Sequence, residues 1–520
     1  MLAVWSRTDN CLVRLTPVNG RKQASMTSDH GQVSRRSFLK RATAVSVGAL
    51  ATRGIYQVLE ELDVVAPARA WAATTTRPQE QYLVGNIEVI TDNGVKVAIP
   101  PLYNDVITAK LKSSKNWTTS ALKSAQIRLE NALAVVERAY PPTAAGLTIV
   151  MGWGLPFFRS FLPSALWQAN LPIDQALSQQ AGSTRYAVLD AIGFPSDPAD
   201  LLLEDNHLLF KFRSDSQSIL KSVEGALLTN QNSGAFVGDL FDLTSQRVGF
   251  LGRGFGTPSI AKQLALKAGV AGADQIPDDS QLMLGFTSSQ TAGLGPDKIV
   301  SFETLPGVTN QWPSGYFANG CAMHLSHLFE DLSLWYKSFD YAGRVARMFS
   351  PHTTVPSDTG TVTLSTGPGD VSTLNQVKQD ATAGLLGHNE TLQQASRLPA
   401  DVTDNYGRLR PAGTAVPLRE DFNTLDNPFK WTANPTRDGF SSTAAPGLHF
   451  AVFVPTSGKF HTARLAMDGV LPDGTNLRVD PYNVPDSANG INAMIRASHR
   501  QNFLIPPRRH RSFPLAELLK

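Results

Sequence analysis

Cysteine is almost missing from this chain: Cys11 and Cys321 are the only two in 520 residues. Cys11 falls in the leader described below, so a disulfide framework is excluded. Long apolar runs are missing too. No stretch approaches the roughly eighteen residues that a membrane-spanning helix needs, so the mature chain has no transmembrane span. Excess charge is also small, with 47 Lys and Arg against 44 Asp and Glu and a net charge of +3. Part of that excess sits at the two ends. A nucleic-acid binder carries a strong basic face, and this chain has none. What remains is an ordinary globular composition, 42% hydrophobic and 18% charged. The length suggests about two to four domains or repeats.

The N-terminal stretch is the first positive signal. Ser34-Arg35-Arg36-Ser37-Phe38-Leu39-Lys40 resembles the twin-arginine export signature, followed by the apolar run Ala42 to Leu50 and small residues around Ala66, Ala68 and Ala70. A charged start, a modest apolar middle and a small-residue cleavage region are the parts of a signal peptide. Residues 1–73 therefore read as a leader, with Met26 a plausible true start. The expectation is export through the twin-arginine translocase to the periplasm, cell wall or exterior. That route carries folded proteins, often because a cofactor is inserted beforehand.

Residues 74–145 read as an entry segment and a helix. Val84, Ile87 and Val89, then Val95, Val97 and Ile99, alternate as in strands. Ser120 to Tyr140 carries Leu122, Ala125, Leu129, Leu133 and Val136 on one helical face, and Pro141-Pro142 stops it. Gly146 to Gly154 reads as a buried strand. Asn206 to Arg213 reads as a second, with Leu208, Phe210 and Phe212 on one side. A helix with Ile219, Leu220, Val223 and Leu227 in its core stripe follows, capped by Ser214 or Asp215. Strand, strand, helix in this order is half of a ferredoxin-like unit. Later, Gly320 to Leu328 reads as a strand, Leu332 to Phe349 as one helix, and Pro351 to Asp380 as a surface loop. His324 and His327 are three apart on a strand, so they face opposite sides and do not share an ion. The basic end Arg508-Arg509-His510-Arg511, within 508–520, reads as a solvated tail.

These segments, in order, resemble the dye-decolourising peroxidases, haem enzymes built from two ferredoxin-like halves. The resemblance rests on Gly146 to Gly154, on Arg213-Ser214-Asp215 opening a helix, on Asp279 to Phe286, on Gly447 to Pro455 and on Asn502 to Pro507. It implies an α+β fold of the dimeric α+β barrel type, with antiparallel sheets and helices on one face of each. The halves are expected at 146–310 and 311–507, with core strands at Leu147–Val150, Leu208–Phe212, Met323–Leu328 and Leu448–Val454. The family's distal aspartate follows a Gly-Phe pair. Here the pair is Gly249-Phe250, and Arg253 stands where the aspartate is expected.

The resemblance also implies a site. His388, after the glycine-bracketed turn Gly384 to Gly387, takes the position of the proximal ligand of haem b. Imidazole is a good iron ligand, and a fixed guanidinium can polarise a molecule bound opposite it. Arg419, in Pro417-Leu418-Arg419-Glu420, takes the distal position, although the family's second arginine is replaced by Glu420. Arg253 is assigned to the cofactor's surroundings. Peroxide cleavage also needs a proton carrier, a task to which a permanently charged arginine is ill suited. Asp242 is the nearby carboxylate nominated for it. The implied function is peroxide-dependent oxidation of a small organic substrate. The alternative is a non-catalytic haem or porphyrin binder, or a degenerate envelope relative lacking the distal aspartate.

Overall fold

The alternating apolar segments of the sequence become strands, and two sets of four are arranged alike. The computed structural model of the chain describes residues 76–92, 95–286, 298–351, 372–426 and 445–520. The twin-arginine stretch lies outside these residues, as does most of the loop expected at Pro351 to Asp380. In the first half, β1 (Tyr103–Leu111), α1 (Thr119–Arg138), β2 (Thr148–Trp153), β3 (Leu208–Ser214), α2 (Gln217–Glu224) and β4 (Phe241–Phe250) follow in order. Their spatial order is β2-β3-β1-β4, the antiparallel ferredoxin-like arrangement.

The second half repeats it. β5 (Cys321–Glu330) leads through α3 (Leu332–Ser338), α4 (Tyr341–Met348) and α5 (His388–Ser396) to β6, formed by Leu418–Arg419 and Phe422–Thr424. Then come β7 (Gly447–Val454), α6 (Ser457–Met467) and β8 (Ile495–Ile505). The spatial order is β6-β7-β5-β8. The two sheets meet at two seams, Asn423 opposite Phe250 and Leu504 opposite Trp153, and so close an eight-stranded antiparallel barrel. Asn423 ties the first seam: its Nδ2 donates to the carbonyls of Phe250 and Gln281, and its Oδ1 accepts from the Met283 N–H at 2.8 Å.

Strand alternation then sorts the side chains into two environments. Along β5, His324, Ser326, Leu328 and Glu330 face the helices of the second half, whereas His327 faces the barrel axis beside His449, ring centroids 4.3 Å apart. The barrel interior is charged. Lys211, Arg213 and Arg247 are fully buried there. Lys211 Nζ lies 2.9 Å from Glu420 Oε2, Arg213 shares that carboxylate, and Arg247 pairs with Glu204. Burial raises the pKa of Glu420, but Arg213 and Lys211 outweigh it and hold the group below the usual range. The break in β6 serves this cluster. Ala451 donates its N–H to Asp421 Oδ1, which takes the ladder position of the Glu420 carbonyl; that carbonyl accepts from Lys211 Nζ instead, at 3.3 Å.

Several features differ from the sequence reading: α2 is capped by Ser216 rather than Ser214 or Asp215, and Leu374–Thr382, which begins in the stretch expected as a surface loop, is a helix. The first half opens with β1 at Tyr103, so α1 is its first crossover helix, and a boundary at 146 falls inside the unit. The stretch 332–349 is two helices, because the Asp340 side chain accepts from the Gly343 N–H and caps a new start. The basic end is folded rather than solvated: Arg511 is 1% exposed and bonds both Glu130 and Glu137, and Arg508 bonds Glu137 at 2.7 Å. Among the described residues no helix is long and apolar enough to cross a membrane.

Candidate functional site

An apolar slot lies between the outer face of β5 and β7 and the helices α5 and α6. About 80 Å³ of it is open to the centre of a water molecule. Counted with its solvent-open mouth, the space between atoms is about 1090 Å³. Leu328, Leu392, Leu448, Val452, Phe460 and Ile491 give it apolar walls. Phe450 borders the slot without filling it and is only partly buried, while Phe422 lies on the other face of the sheet beside Lys211.

His388 is the first residue of α5, and the sequence holds it tightly. Its predecessor Gly387 lies so close to Phe349 that an added Cβ would sit 2.2 Å from that carbonyl oxygen. Gly490 packs on the other side, where a Cβ would sit 3.0 Å from the His388 nitrogen. Glu390 completes the turn by accepting the Gly387 N–H at 2.7 Å. His388 itself lines the slot, is 6% exposed, and has no hydrogen-bond partner for Nδ1. Burial, reinforced by the charges of Arg419 and Arg464, holds its pKa well below the usual histidine range. The ring is therefore neutral, the form that binds a metal.

Arg419 pairs across the ladder with Val452, a wall residue, so it shares the slot-side face of the sheet. Its guanidinium lies 3.8 Å from Asp421, and burial brings its pKa down to about 10. His388 and Arg419 are thus brought into electrostatic range. Arg253 and Asp242 are not brought to the slot. Arg253 turns to the hairpin of Glu88–Asp92 and Val95–Ile99, where Glu88 captures it. Asp242 is at the surface, 2.6 Å from Lys112 and accepting from the Ser113 N–H at 2.9 Å. These pairs hold it well down, at about 2, so it is a solvated carboxylate far from proton-transfer range.

The residue missed by sequence reasoning is Glu330. It lines the slot, is 1% exposed, and neither carboxyl oxygen has a hydrogen-bond partner. Burial, with Asp421 adding to it, pushes its pKa up to about 8. A signal was available: Glu330 ends a strand on the same alternation as His324 and Ser326, while the adjacent Asp331 is committed to capping α3 at the Leu334 N–H. His324 also lines the slot, but its ring is stacked on Phe460 at 3.8 Å and bonded to Asn502 and Ser326. His327 is in the barrel, so the two histidines do not converge. No cluster of three or more His, Cys, Asp or Glu suited to a metal ion occurs among the described residues.

Fold and slot together define an α+β barrel protein with a buried histidine presented to an apolar cleft. The family of unknown function DUF7405 matches residues 107–507, and the chain belongs to it. No curated protein matches. Solved structures with a similar course include the encapsulated DyP-type peroxidase from Mycobacterium smegmatis, 13% identical, covering 80% of this chain and 95% of that one at a TM-score of 0.43. A DyP-type peroxidase from Cellulomonas bogoriensis is 14% identical, covering 83% and 96% at a TM-score of 0.43. The dye-decolorizing protein from V. cholerae is 12% identical, covering 80% and 96% at a TM-score of 0.42.

Proposed function

We propose that the chain is an exported haem protein of the dye-decolourising peroxidase type, with His388 as the iron ligand. The observation that carries this reading is the state of His388: neutral, buried in the wall of an apolar cleft, with an unpartnered ring nitrogen. An orphaned buried imidazole nitrogen is an expensive feature unless something binds it. The residues present therefore fit haem. When bound, haem would supply the redox chemistry of peroxide cleavage. The chain's own residues would orient and exclude. His388 fixes the ring from α5, the apolar walls keep bulk water out, and Arg419 supplies positive charge from β6 where negative charge develops on oxygen. The exposed Lys459 at the slot offers a cation for the carboxylates of such a ligand.

The non-catalytic reading is favoured by one observation: Arg253, which stands where the resemblance places an aspartate, is held by Glu88 away from the slot. Protein produced with a haem supply is expected to show a Soret band that His388→Ala abolishes without unfolding the chain. Dye oxidation dependent on hydrogen peroxide then marks the enzyme; retention of haem without turnover marks the binder. A colourless wild type removes both.

A further inference from the structure

We infer that Glu330 sets which tetrapyrrole the slot takes: its carboxyl hydrogen-bonds an oxygen-bearing substituent, formyl or carboxyl, on the ligand edge farthest from Lys459 and Arg500. The inference rests on the haem reading and deepens it by naming the substituents of the ligand. Its geometric basis is independent of that reading. β5 and β7 run antiparallel along the slot, with Val454 opposite Ala322 and Leu448 opposite Leu328. Lys459, in the first turn of α6, therefore lies past the end of β7 at which β5 begins, whereas Glu330 is the residue with which β5 ends. Arg500 belongs to the Lys459 side. It pairs with Ser326, four residues before Glu330, a separation of about 13 Å along a strand. The slot thus has a cationic end and an acid end, with Leu328 and Leu448 between them. A ligand that reaches both ends carries polar groups on opposite edges.

At the acid end the chain does not satisfy its own carboxyl. Two carboxyls line the slot. Asp197 is bonded to Arg500 at 2.6 Å, while both oxygens of Glu330 are buried without a hydrogen-bond partner. Other polar groups close by in the chain are spent elsewhere. Tyr336, on α3, gives its hydroxyl to the Met283 carbonyl at 2.7 Å. Asn492, beside Ile491 in the slot wall, gives its amide to the Met467 carbonyl at 3.0 Å and to Asp468 at 2.8 Å. The cationic end shows the same feature once, at Arg500 Nε, which is buried and unpartnered. Burial, with the charge of Asp421 adding to it, pushes the pKa of Glu330 up to about 8. At neutral pH the group therefore offers a hydroxyl donor as well as an acceptor oxygen. A hydrocarbon edge of vinyl and methyl groups leaves that donor unmet, whereas a formyl or carboxyl oxygen accepts from it. Leaving a buried polar group unmet weakens binding roughly tenfold to hundredfold.

The test titrates the full chain, purified without haem, with three iron porphyrins that share two propionates and differ at the far edge. That edge carries vinyl groups in iron protoporphyrin, carboxyethyl groups in iron coproporphyrin and formyl groups in a diformyl iron deuteroporphyrin. Growth of the Soret band gives each affinity, with His388→Ala run alongside. Wild type should bind at least one oxygen-bearing ligand roughly tenfold to hundredfold more tightly than iron protoporphyrin, and the one preferred identifies the substituent. Glu330→Gln, which keeps a donor, should retain the preference, and Glu330→Leu should abolish or reverse it. With the formyl ligand, resonance Raman spectra should place the carbonyl stretch lower in wild type than in Glu330→Leu, as a hydrogen bond to the formyl oxygen requires. Equal affinities in wild type, or a preference that Glu330→Leu leaves unchanged, overturn the inference while the haem reading stands. The wild-type comparison decides by itself should Glu330→Leu not fold. Absence of a His388-dependent Soret band with all three ligands removes the haem reading, and the role of Glu330 with it.

Discussion

Glu420 stands 2.9 Å from Lys211 inside the barrel and shares its carboxylate with Arg213. Its carboxylate neutralises two cations that otherwise share an enclosed space. Removing one partner of a buried ion cluster leaves unpaired charge, at a cost of roughly 3–5 kcal/mol. Glu420→Gln is therefore expected to lower the unfolding free energy by that amount in a denaturant titration at neutral pH. Glu420→Arg, which adds a third cation to the enclosed cluster, should not yield folded protein. An unchanged midpoint for either variant would show that the cluster does not stabilise the barrel.

Glu330 makes stability depend on pH in a set direction. Its pKa rises from 4.5 to about 8 on folding, so the native state holds a proton that the unfolded state releases. The stabilisation from this group is complete below about 4.5 and is lost as pH climbs toward 8, by roughly 4–5 kcal/mol in all. Buried histidines such as His388 act in the opposite sense, because their folded pKa is depressed. The comparison that isolates Glu330 is thus the difference between wild type and Glu330→Gln. That difference should narrow, or reverse, between pH 5 and pH 8; parallel stability curves would contradict the burial of an ionisable group here.

Arg419→Ala separates binding from reaction. Arg419 lies on the slot-side face of β6 and does not supply a ligand atom, so the variant should retain haem. Its reaction with hydrogen peroxide should slow by about 10²- to 10³-fold, the usual effect of losing one electrostatic stabiliser. Stopped-flow mixing of the haem-loaded variant with peroxide measures this directly. Loss of the Soret band would move Arg419 from reaction to binding.

Export is tested at Arg35 and Arg36. The translocase reads the guanidinium pair, so replacing both by lysine should leave the protein in the cytoplasm on cell fractionation. Normal export of the double variant would remove the twin-arginine assignment, and with it the reason to expect a cofactor loaded before transport.

Much of this fold was legible because apolar alternation survives in the strands that touch a helix layer. Gly146 to Gly154 and Gly447 to Pro455 each contain the strand found there, and Asn206 to Arg213 covers all of its strand but the last residue, Ser214. What escaped was the barrel wall that carries polar residues inward. β1 contains Asn104 and Thr108, and β4 contains Arg247, all buried. Such segments look like solvated loops until the barrel closes around them. The site divides in the same way. His388 and Arg419 were visible through the resemblance of their segments to a known family, and the glycine before His388 also marks a close approach. Asp242 was chosen for its proximity in sequence to Gly249, which strand geometry does not preserve. Glu330 was hidden by Asp331, whose capping role makes the acidic pair look like an ordinary helix start.

The folded C-terminal end binds the first half to a distant part of the chain. Phe513 packs against Trp153 with ring centroids 5.1 Å apart, and the Trp153 indole donates to the Arg511 carbonyl across 358 residues of chain. The core of the first half thus takes an aromatic ring from a segment that follows both halves in the chain. Truncations that spare every residue of the slot but remove Phe513 should consequently loosen the opposite end of the molecule.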